Sequence, residues 1–133
     1  MRKIIFRLIH KFGFKIENKK REKKCKLKYL SQFNVDDNID ILLQSYDYIF
    51  QLKQKFPELS IISKRNGYEV SFSDLNFFIE SGEEFFILKE VYITSDYSFN
   101  LDKEVVVIDI GANIGLSSLY FSKKINVKKI YSF

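Results

Sequence analysis

The most constraining stretch of this 133-residue chain is the segment 105–124, VVVIDIGANIGLSSLYFSKK. It opens with four β-branched apolar residues, and such a continuous run predicts a strand that is buried on both faces of a sheet. The two glycines of GANIG predict a turn with positive φ or a close backbone approach. From Leu116 onward apolar residues recur at helical intervals, and Lys123 and Lys124 stand where cations complement a helix C-terminus. The segment therefore predicts a strand, a tight turn and a helix.

A second apolar run, KIYSF at 129–133, follows this helix and predicts a second strand. Strand, helix and strand at this spacing form a βαβ unit with a right-handed crossover. The start of the helix then lies at the carboxyl end of the first strand, where open α/β sheets bind ligands. Backbone N–H groups there favour an anionic group, and Asp109 can accept hydrogen bonds from a cation or a hydroxyl. A ligand with both a carboxylate and an ammonium would suit the site.

Three known loops that bind phosphates or nucleotides fit this turn poorly. The dinucleotide fingerprint requires G-x-G-x-x-G, and Asn113 stands where its central glycine is needed. A P-loop has four residues between its glycines and then Lys with Ser or Thr. Here three residues separate Gly111 from Gly115, and Leu116 follows. Sugar-kinase and actin-like ATPases share an Asp-Ile-Gly start, but their turn leads into a second strand close to the chain start.

The pattern D-x-G-A-N-x-G, present here as DIGANIG, resembles motif I of class I S-adenosylmethionine-dependent methyltransferases, and specifically that of the FkbM family. The resemblance extends upstream to EVYITSDYSF at 90–99 and downstream to IYSF at 130–133. It covers about 89–133, a third of the chain. It implies an α/β, Rossmann-like methyltransferase fold with only the opening βαβ unit present, preceded by a helical and β-hairpin N-terminal region.

The resemblance also implies S-adenosylmethionine as the cofactor, with five binding residues. Asp109 would hold the ammonium of the cofactor's methionine portion, directly or through water. Gly111, Ala112 and Asn113 would let the backbone pass close to the methionine and ribose portions. Gly115 would let the helix begin close to the cofactor. The alternative interpretation is that the glycines only make a turn and that Asp109 caps the helix.

The implied reaction is methyl transfer to a hydroxyl of a small-molecule or glycan acceptor, such as a sugar or a secondary metabolite. Such a displacement depends on the alignment of nucleophile, methyl group and sulfur. No catalytic residue and no metal ligand set can be assigned within 1–133. In the family an acidic residue follows the second strand and binds the ribose hydroxyls. We therefore expect the chain to be the front part of a longer enzyme, inactive and poorly folded by itself, with apolar surface of its first βαβ strand exposed.

Positive charge is concentrated at the start of the chain. Residues 1–30 contain twelve Lys or Arg and two Glu. The remainder of the chain contains ten Lys or Arg and fifteen Asp or Glu. The apolar residues of 1–15 share one helical face, which could lie on an anionic membrane surface or pack on its own domain. The charge run 18–28 lacks a supporting fold motif, so no nucleic-acid partner is expected. The rival to an enzyme is thus a non-catalytic membrane- or partner-binding protein on a degenerate methyltransferase fold.

These features divide the chain into a basic leader over 1–30, an α+β accessory region over 31–100 and the start of the methyltransferase domain over 101–133. No apolar stretch is long enough to span a membrane, and we expect a cytoplasmic protein, with peripheral membrane contact through 1–15 as an option. The accessory region predicts these elements in order: a helix over 36–56 capped by Asp36 or Asp37 and ended by Pro57, a strand over 59–63, a hairpin at Asn66-Gly67, a strand over 68–72, a short helix over 74–80, and a strand or helix over 85–93.

Overall fold

The computed structural model describes residues 19–35, 39–94, 97 and 102–133. The chain divides into two compact units, 1–32 and 33–133. The described part of the first unit contains helix α1 (Lys19–Leu30), which has Lys or Arg at seven of its twelve positions. Glu22 forms an ion pair with Lys26 one turn later, at 3.0 Å. The predicted amphipathic segment 1–15 lies outside the described residues.

The second unit is mixed α/β, which confirms the expected fold class at this coarse level. Strands β1, β2 and β3 form an antiparallel sheet in that order, and β4 and β5 form a separate parallel pair. The predicted domain boundary near residue 101 falls within this unit and stays a prediction. The elements follow in chain order as α2 (Asp40–Gln44), α3 (Tyr46–Lys55), β1 (Ser60–Lys64), β2 (Gly67–Phe72), β3 (Leu75–Ile79), α4 (Gly82–Tyr92), β4 (Val105–Asp109), α5 (Leu116–Ser122) and β5 (Val127–Ser132).

The single helix that periodicity predicts over 36–56 is two helices, with Ser45 between α2 and α3. Ser45 is 1 % exposed, and a Cβ added to Gly82 at the start of α4 would lie 3.2 Å from its hydroxyl oxygen. Two small residues thus let α4 approach this junction closely. Helix α3 ends two residues before Pro57, which confirms the predicted stop. The predicted caps at 36 and 37 lie outside the described residues.

The hairpin predicted from Asn66-Gly67 is present, but its turn lies one residue earlier. Lys64 pairs with Gly67, so Arg65 and Asn66 form the turn and Gly67 opens β2. The glycine has a different reason to be there: a Cβ added to Gly67 would lie 2.4 Å from the carbonyl oxygen of Ile79 in β3. Gly67 is therefore required by the close approach of β2 to β3, whereas the turn itself does not require a glycine at this position.

The short helix predicted over 74–80 is wrong, because this segment is strand β3. Burial alternates along it, starting with buried Leu75 and ending with buried Ile79. That is the period of two expected of a strand with one buried face, and β3 pairs with β2 throughout its length. In the preceding turn Ser73 has φ 52°. The amide of Ser73 donates a hydrogen bond to Oε1 of Glu58 at 3.0 Å.

The segment over 85–93, left open between strand and helix, is helical and belongs to α4. Ser81 caps its start, and the Ser81 hydroxyl oxygen accepts a hydrogen bond from the amide of Glu84 at 3.2 Å. The Glu84 carboxylate accepts in return from the amide of Glu80 at 2.6 Å. This arrangement is close to a capping box: it satisfies the amide of Glu84 in the first helical turn and that of Glu80 just before the cap.

Strand β4 is covered on one face only, so the predicted burial on both faces is wrong for the described chain. Val106 is 54 % exposed and Ile108 is 64 % exposed. The intervening residues Val105, Val107 and Asp109 are half-buried on the side where α5 lies. Among the described residues no element covers the opposite face. The exposed apolar surface of β4 agrees with the second expectation from the sequence, which concerned a sheet with only these two parallel strands.

A chain of aromatic rings runs through the second unit to α5. Phe56 stacks on Phe72 with ring centroids 4.3 Å apart, and the rings of Phe72 and Tyr92 pack nearly perpendicular to each other at 5.3 Å. Tyr92 then packs perpendicular to Tyr120 of α5 at 5.5 Å. Tyr92 is 8 % exposed, yet its hydroxyl has no hydrogen-bond partner among the described residues. The packing of α4 on α5 therefore leaves a polar group buried and unsatisfied.

We expect Tyr92→Phe to raise the free energy of unfolding by about 1 kcal/mol, because an unsatisfied buried hydroxyl costs roughly 1–3 kcal/mol. The ring contacts stay the same in the variant. Urea denaturation followed by circular dichroism measures the change. Tyr131→Phe is the matched control, since Tyr131 is 43 % exposed and its change should stay within about 0.5 kcal/mol. Equal gains in both variants would contradict the burial argument.

Candidate functional site

The DIGANIG loop leaves the carboxyl end of β4 and enters α5 through a turn with unusual backbone angles. Gly111 has φ 74°, Asn113 has φ 49° and Gly115 has φ 82°, all in the left-handed region. Glycine adopts this region freely and asparagine tolerates it better than most residues. A Cβ added to either glycine would meet nothing within 4 Å. Within the described protein, both glycines are therefore explained by backbone conformation and not by a close neighbour.

Three of the six backbone amides over 110–115 already have acceptors. The amides of Gly111 and Ala112 both donate to the carbonyl oxygen of Phe133, at 3.0 and 3.1 Å, and that of Gly115 donates to the carbonyl oxygen of Ala112 at 2.7 Å. The amides of Asn113 and Ile114 have no acceptor among the described residues. The amide of Ile110, which is 83 % exposed, likewise has no acceptor among the described residues, so Ile110, Asn113 and Ile114 carry the loop amides that a ligand could engage.

The carboxylate of Asp109 is held by serine hydroxyls from the first turn of α5. Its Oδ2 atom accepts hydrogen bonds from Ser117 at 2.7 Å and from Ser118 at 2.6 Å. The hydroxyls of Ser118 and Ser132 also share a hydrogen bond, which extends the network to β5. The half-buried carboxylate thus ties strand, helix and second strand together. This fits the interpretation of Asp109 as a structural group at the helix start, and its role as an ammonium ligand stays a prediction.

Sequence reasoning missed the three serines of this network, Ser117, Ser118 and Ser132. A signal for two of them was present, since they occupy the first turn of a helix that follows an aspartate at the end of a strand. In a βαβ unit this turn faces the carboxyl end of the first strand. Short hydroxyl side chains at that position can reach the carboxylate, whereas the partnership with Ser132 depends on the register of β5.

The other features expected or excluded from the sequence concern metals and membranes. Within 19–35, 39–94, 97 and 102–133, no group of three or more His, Cys, Asp or Glu side chains could hold a metal ion. None of the helices in these described ranges has the length and apolar character needed to cross a membrane. The peripheral contact proposed for 1–15 concerns residues outside the described ranges.

Comparison of the chain with protein-family models, with curated proteins and with solved structures gives no match in any of the three. The resemblance to FkbM methyltransferases therefore rests on DIGANIG and its flanking segments alone.

We expect Gly115→Ala to lower the free energy of unfolding by about 1–2 kcal/mol, the cost of a left-handed conformation for a residue with a Cβ. The space around the added methyl group is open, so strain and not collision causes the loss. Asn113→Gly is the matched comparison. Asn113 also has a positive φ, which glycine adopts without strain, so the free energy of unfolding should change little. Chemical denaturation measures both. If Gly115→Ala is neutral, the left-handed turn is not a requirement of the fold.

Proposed function

We propose that the chain binds S-adenosylmethionine and belongs to a methyltransferase of the FkbM type, with a Rossmann-like class I fold. The proposed reaction is methyl transfer to a hydroxyl of a sugar or a secondary metabolite. The observation that supports it best is the position of DIGANIG. The loop follows the carboxyl end of a parallel strand and turns through left-handed residues into a helix. This is where ligands bind in open α/β sheets.

Asp109 retains the capacity to bind the methionine ammonium in this proposal. An ionised carboxylate offers about four acceptor positions on its two oxygens, and the two serine hydroxyls engage Oδ2. Ser117 and Ser118 would then orient the carboxylate and leave acceptor positions on it for an ammonium. A charge-assisted hydrogen bond of this kind is about twice as strong as one between neutral groups.

The remaining loop residues would contact the cofactor through their backbone. The amides of Gly111 and Ala112 donate to the carbonyl oxygen of Phe133 and are not available to a ligand. These two small residues would instead leave room for the methionine and ribose portions. The exposed amides of Asn113 and Ile114 would donate to the ligand's carboxylate or hydroxyl oxygens. Gly115 would begin the helix close to the cofactor. S-adenosylmethionine supplies the activated methyl group, and these residues bind and orient it for in-line attack; no catalytic base is assigned.

The test is a titration of the ¹⁵N-labelled full chain with S-adenosylmethionine, with backbone amide shifts as the readout. We expect shifts at Asn113 and Ile114 first. Asp109→Asn, which keeps the shape and an acceptor oxygen for the serines, should weaken binding by about tenfold or more, the worth of roughly 1.5–3 kcal/mol for a charged hydrogen bond. Asp102→Asn, at an exposed site away from the loop, should leave affinity unchanged.

A second ligand separates the role of Asp109 from a general effect on the loop. 5′-Methylthioadenosine has the nucleoside but lacks the amino-acid portion. Asp109→Asn should weaken its binding less than that of S-adenosylmethionine, because there is no ammonium for the carboxylate to bind and only the change in the helix remains. If Asp109→Asn weakens both ligands equally, the carboxylate only maintains the loop. If neither ligand shifts the loop amides, the proposed cofactor site is wrong.

The second candidate is non-catalytic binding to an anionic surface, which the composition of α1 favours. Lys19, Lys20, Lys23, Lys24 and Lys28 are exposed on this helix, and the helix has one acidic residue. We expect the chain to co-sediment with vesicles that contain phosphatidylglycerol and not with phosphatidylcholine vesicles. The bound fraction should fall as salt shortens the Debye length to about 8 Å at physiological ionic strength. Equal sedimentation with both vesicle types would remove this candidate.

A further inference from the structure

A cavity of about 360 Å³ lies beside the ring contact that joins α4 to α5. We call it the lysine–aromatic pocket. It is bounded by the end of α3, the turn between β2 and β3, and the C-terminal ends of α4 and α5. Its volume falls within the usual range for small-molecule sites. The residues that define its chemistry are Lys55, Phe72, Tyr92, Tyr120, Lys123 and Lys124.

The inner wall of the pocket is aromatic. Phe72 and Tyr92 meet edge to face at 5.3 Å, and Tyr92 and Tyr120 at 5.5 Å. Phe72 is 2 % exposed and Tyr92 is 8 % exposed, so the half-buried Tyr120 offers most of the accessible ring surface. Aromatic rings favour offset-stacked or edge-to-face contacts with another ring. The wall therefore suits a flat, apolar body better than a flexible polar one.

The rim of the pocket carries more positive than negative charge. Asp74, the one carboxylate that lines it, is paired with Lys123, and that hydrogen bond holds the pKa of Asp74 below its usual value. Lys55 donates to the backbone carbonyl of Tyr92 at 2.7 Å, and the Lys124 ammonium lies 4.3 Å from the centroid of the Tyr120 ring. These last two ammonium groups thus contact neutral acceptors and would gain from an anion.

The nearby partial charges and carboxylates do not cancel this excess. Helices α3, α4 and α5 all end at the pocket, and each C-terminus carries a partial negative charge of about one half. Together they amount to about one and a half negative charges, which is less than the two positive charges of Lys55 and Lys124. Glu58 does not line the pocket, and its Oε1 atom already accepts hydrogen bonds from the amide and the hydroxyl of Ser73.

Tyr92 adds a polar group that needs an acceptor. It lines the pocket, is 8 % exposed, and its hydroxyl has no hydrogen-bond partner among the described residues. Burial raises the pKa of Tyr92, with smaller effects from Tyr120 and Asp74, so the hydroxyl stays protonated and remains a donor. A ligand oxygen that reached it after a small side-chain movement would remove the cost of an unsatisfied buried group.

We propose that the lysine–aromatic pocket binds a small anion with a flat apolar body, of the aromatic carboxylate class. The carboxylate would lie between Lys55 and Lys124, and the ring would pack against Tyr120. The pocket is separate from the proposed cofactor loop, because the two lie at opposite ends of α5, a seven-residue helix about 10 Å long. A ligand here is therefore not the methyl acceptor, and the proposal holds whether or not the chain binds S-adenosylmethionine.

Naphthalene-2-carboxylate is the probe for the test, and 2-naphthamide is its neutral counterpart of nearly the same shape. Each is titrated into the ¹⁵N-labelled full chain. We expect the carboxylate to shift the amides of Ser73, Tyr92 and Lys124 in a saturable way, with a dissociation constant of about 1 mM or lower, as is ordinary for a ligand of this size. The amide should bind at least fivefold more weakly. Equal affinities, or shifts confined to the exposed face of β4, would overturn the proposal.

Two variants test the named ammonium groups. Lys124→Gln and Lys55→Gln should each weaken binding of the carboxylate by about threefold or more and leave binding of the amide unchanged. Lys128→Gln is the matched control, because Lys128 is exposed on β5 and paired with Glu104 at 3.0 Å. Equal losses in all three variants would mean that the net charge of the chain attracts the probe and that the pocket does not. Absence of saturable binding to the unaltered chain would also overturn the proposal.

Discussion

The contact between Tyr92 and Tyr120 holds helix α5, and with it the pair β4–β5, against the rest of the second unit. A two-stranded sheet is marginal in water, and a helix of seven residues is far too short to be stable by itself. The pair β4–β5 and helix α5 therefore need support from elsewhere. Tyr92 supplies it, since it packs on Phe72 on one side and on Tyr120 on the other. The unsatisfied hydroxyl of Tyr92 is the cost of that position.

The parts of the fold that the sequence predicts well are those in which local chemistry decides the conformation. The left-handed angles at Gly111, Asn113 and Gly115 fall on residues that tolerate them, so strand, turn and helix could be read directly. The burial of β4 could not be predicted from the sequence, because it depends on which elements cover each face of the strand. The partners of Asp109 were missed for the same reason: Ser118 and Ser132 meet only when β5 is in register.

The errors in the accessory region have particular causes. In β3 the exposed Phe78 hides the period of two that buried Leu75 and Ile79 follow, so an apolar strand could be mistaken for a helix. The break at Ser45 depends on the approach of Gly82, thirty-seven residues later in the sequence, and no local pattern records it. The start of α4 is different: Ser81 and Glu84 have capping-box spacing, which would have decided between strand and helix.

A structural role for Asp109 and a role in cofactor binding are compatible on electrostatic grounds. A negative charge at a helix N-terminus is favourable and a positive charge at the C-terminus is too. Asp109 supplies the negative charge at the N-terminus of α5, and Lys123 and Lys124 supply the positive charge at its C-terminus. Removing the carboxylate would thus weaken the short helix as well as any ammonium contact. A loss of binding alone therefore cannot identify the role of Asp109; only a ligand pair that differs in the ammonium separates the two, because both ligands experience the same change in the helix.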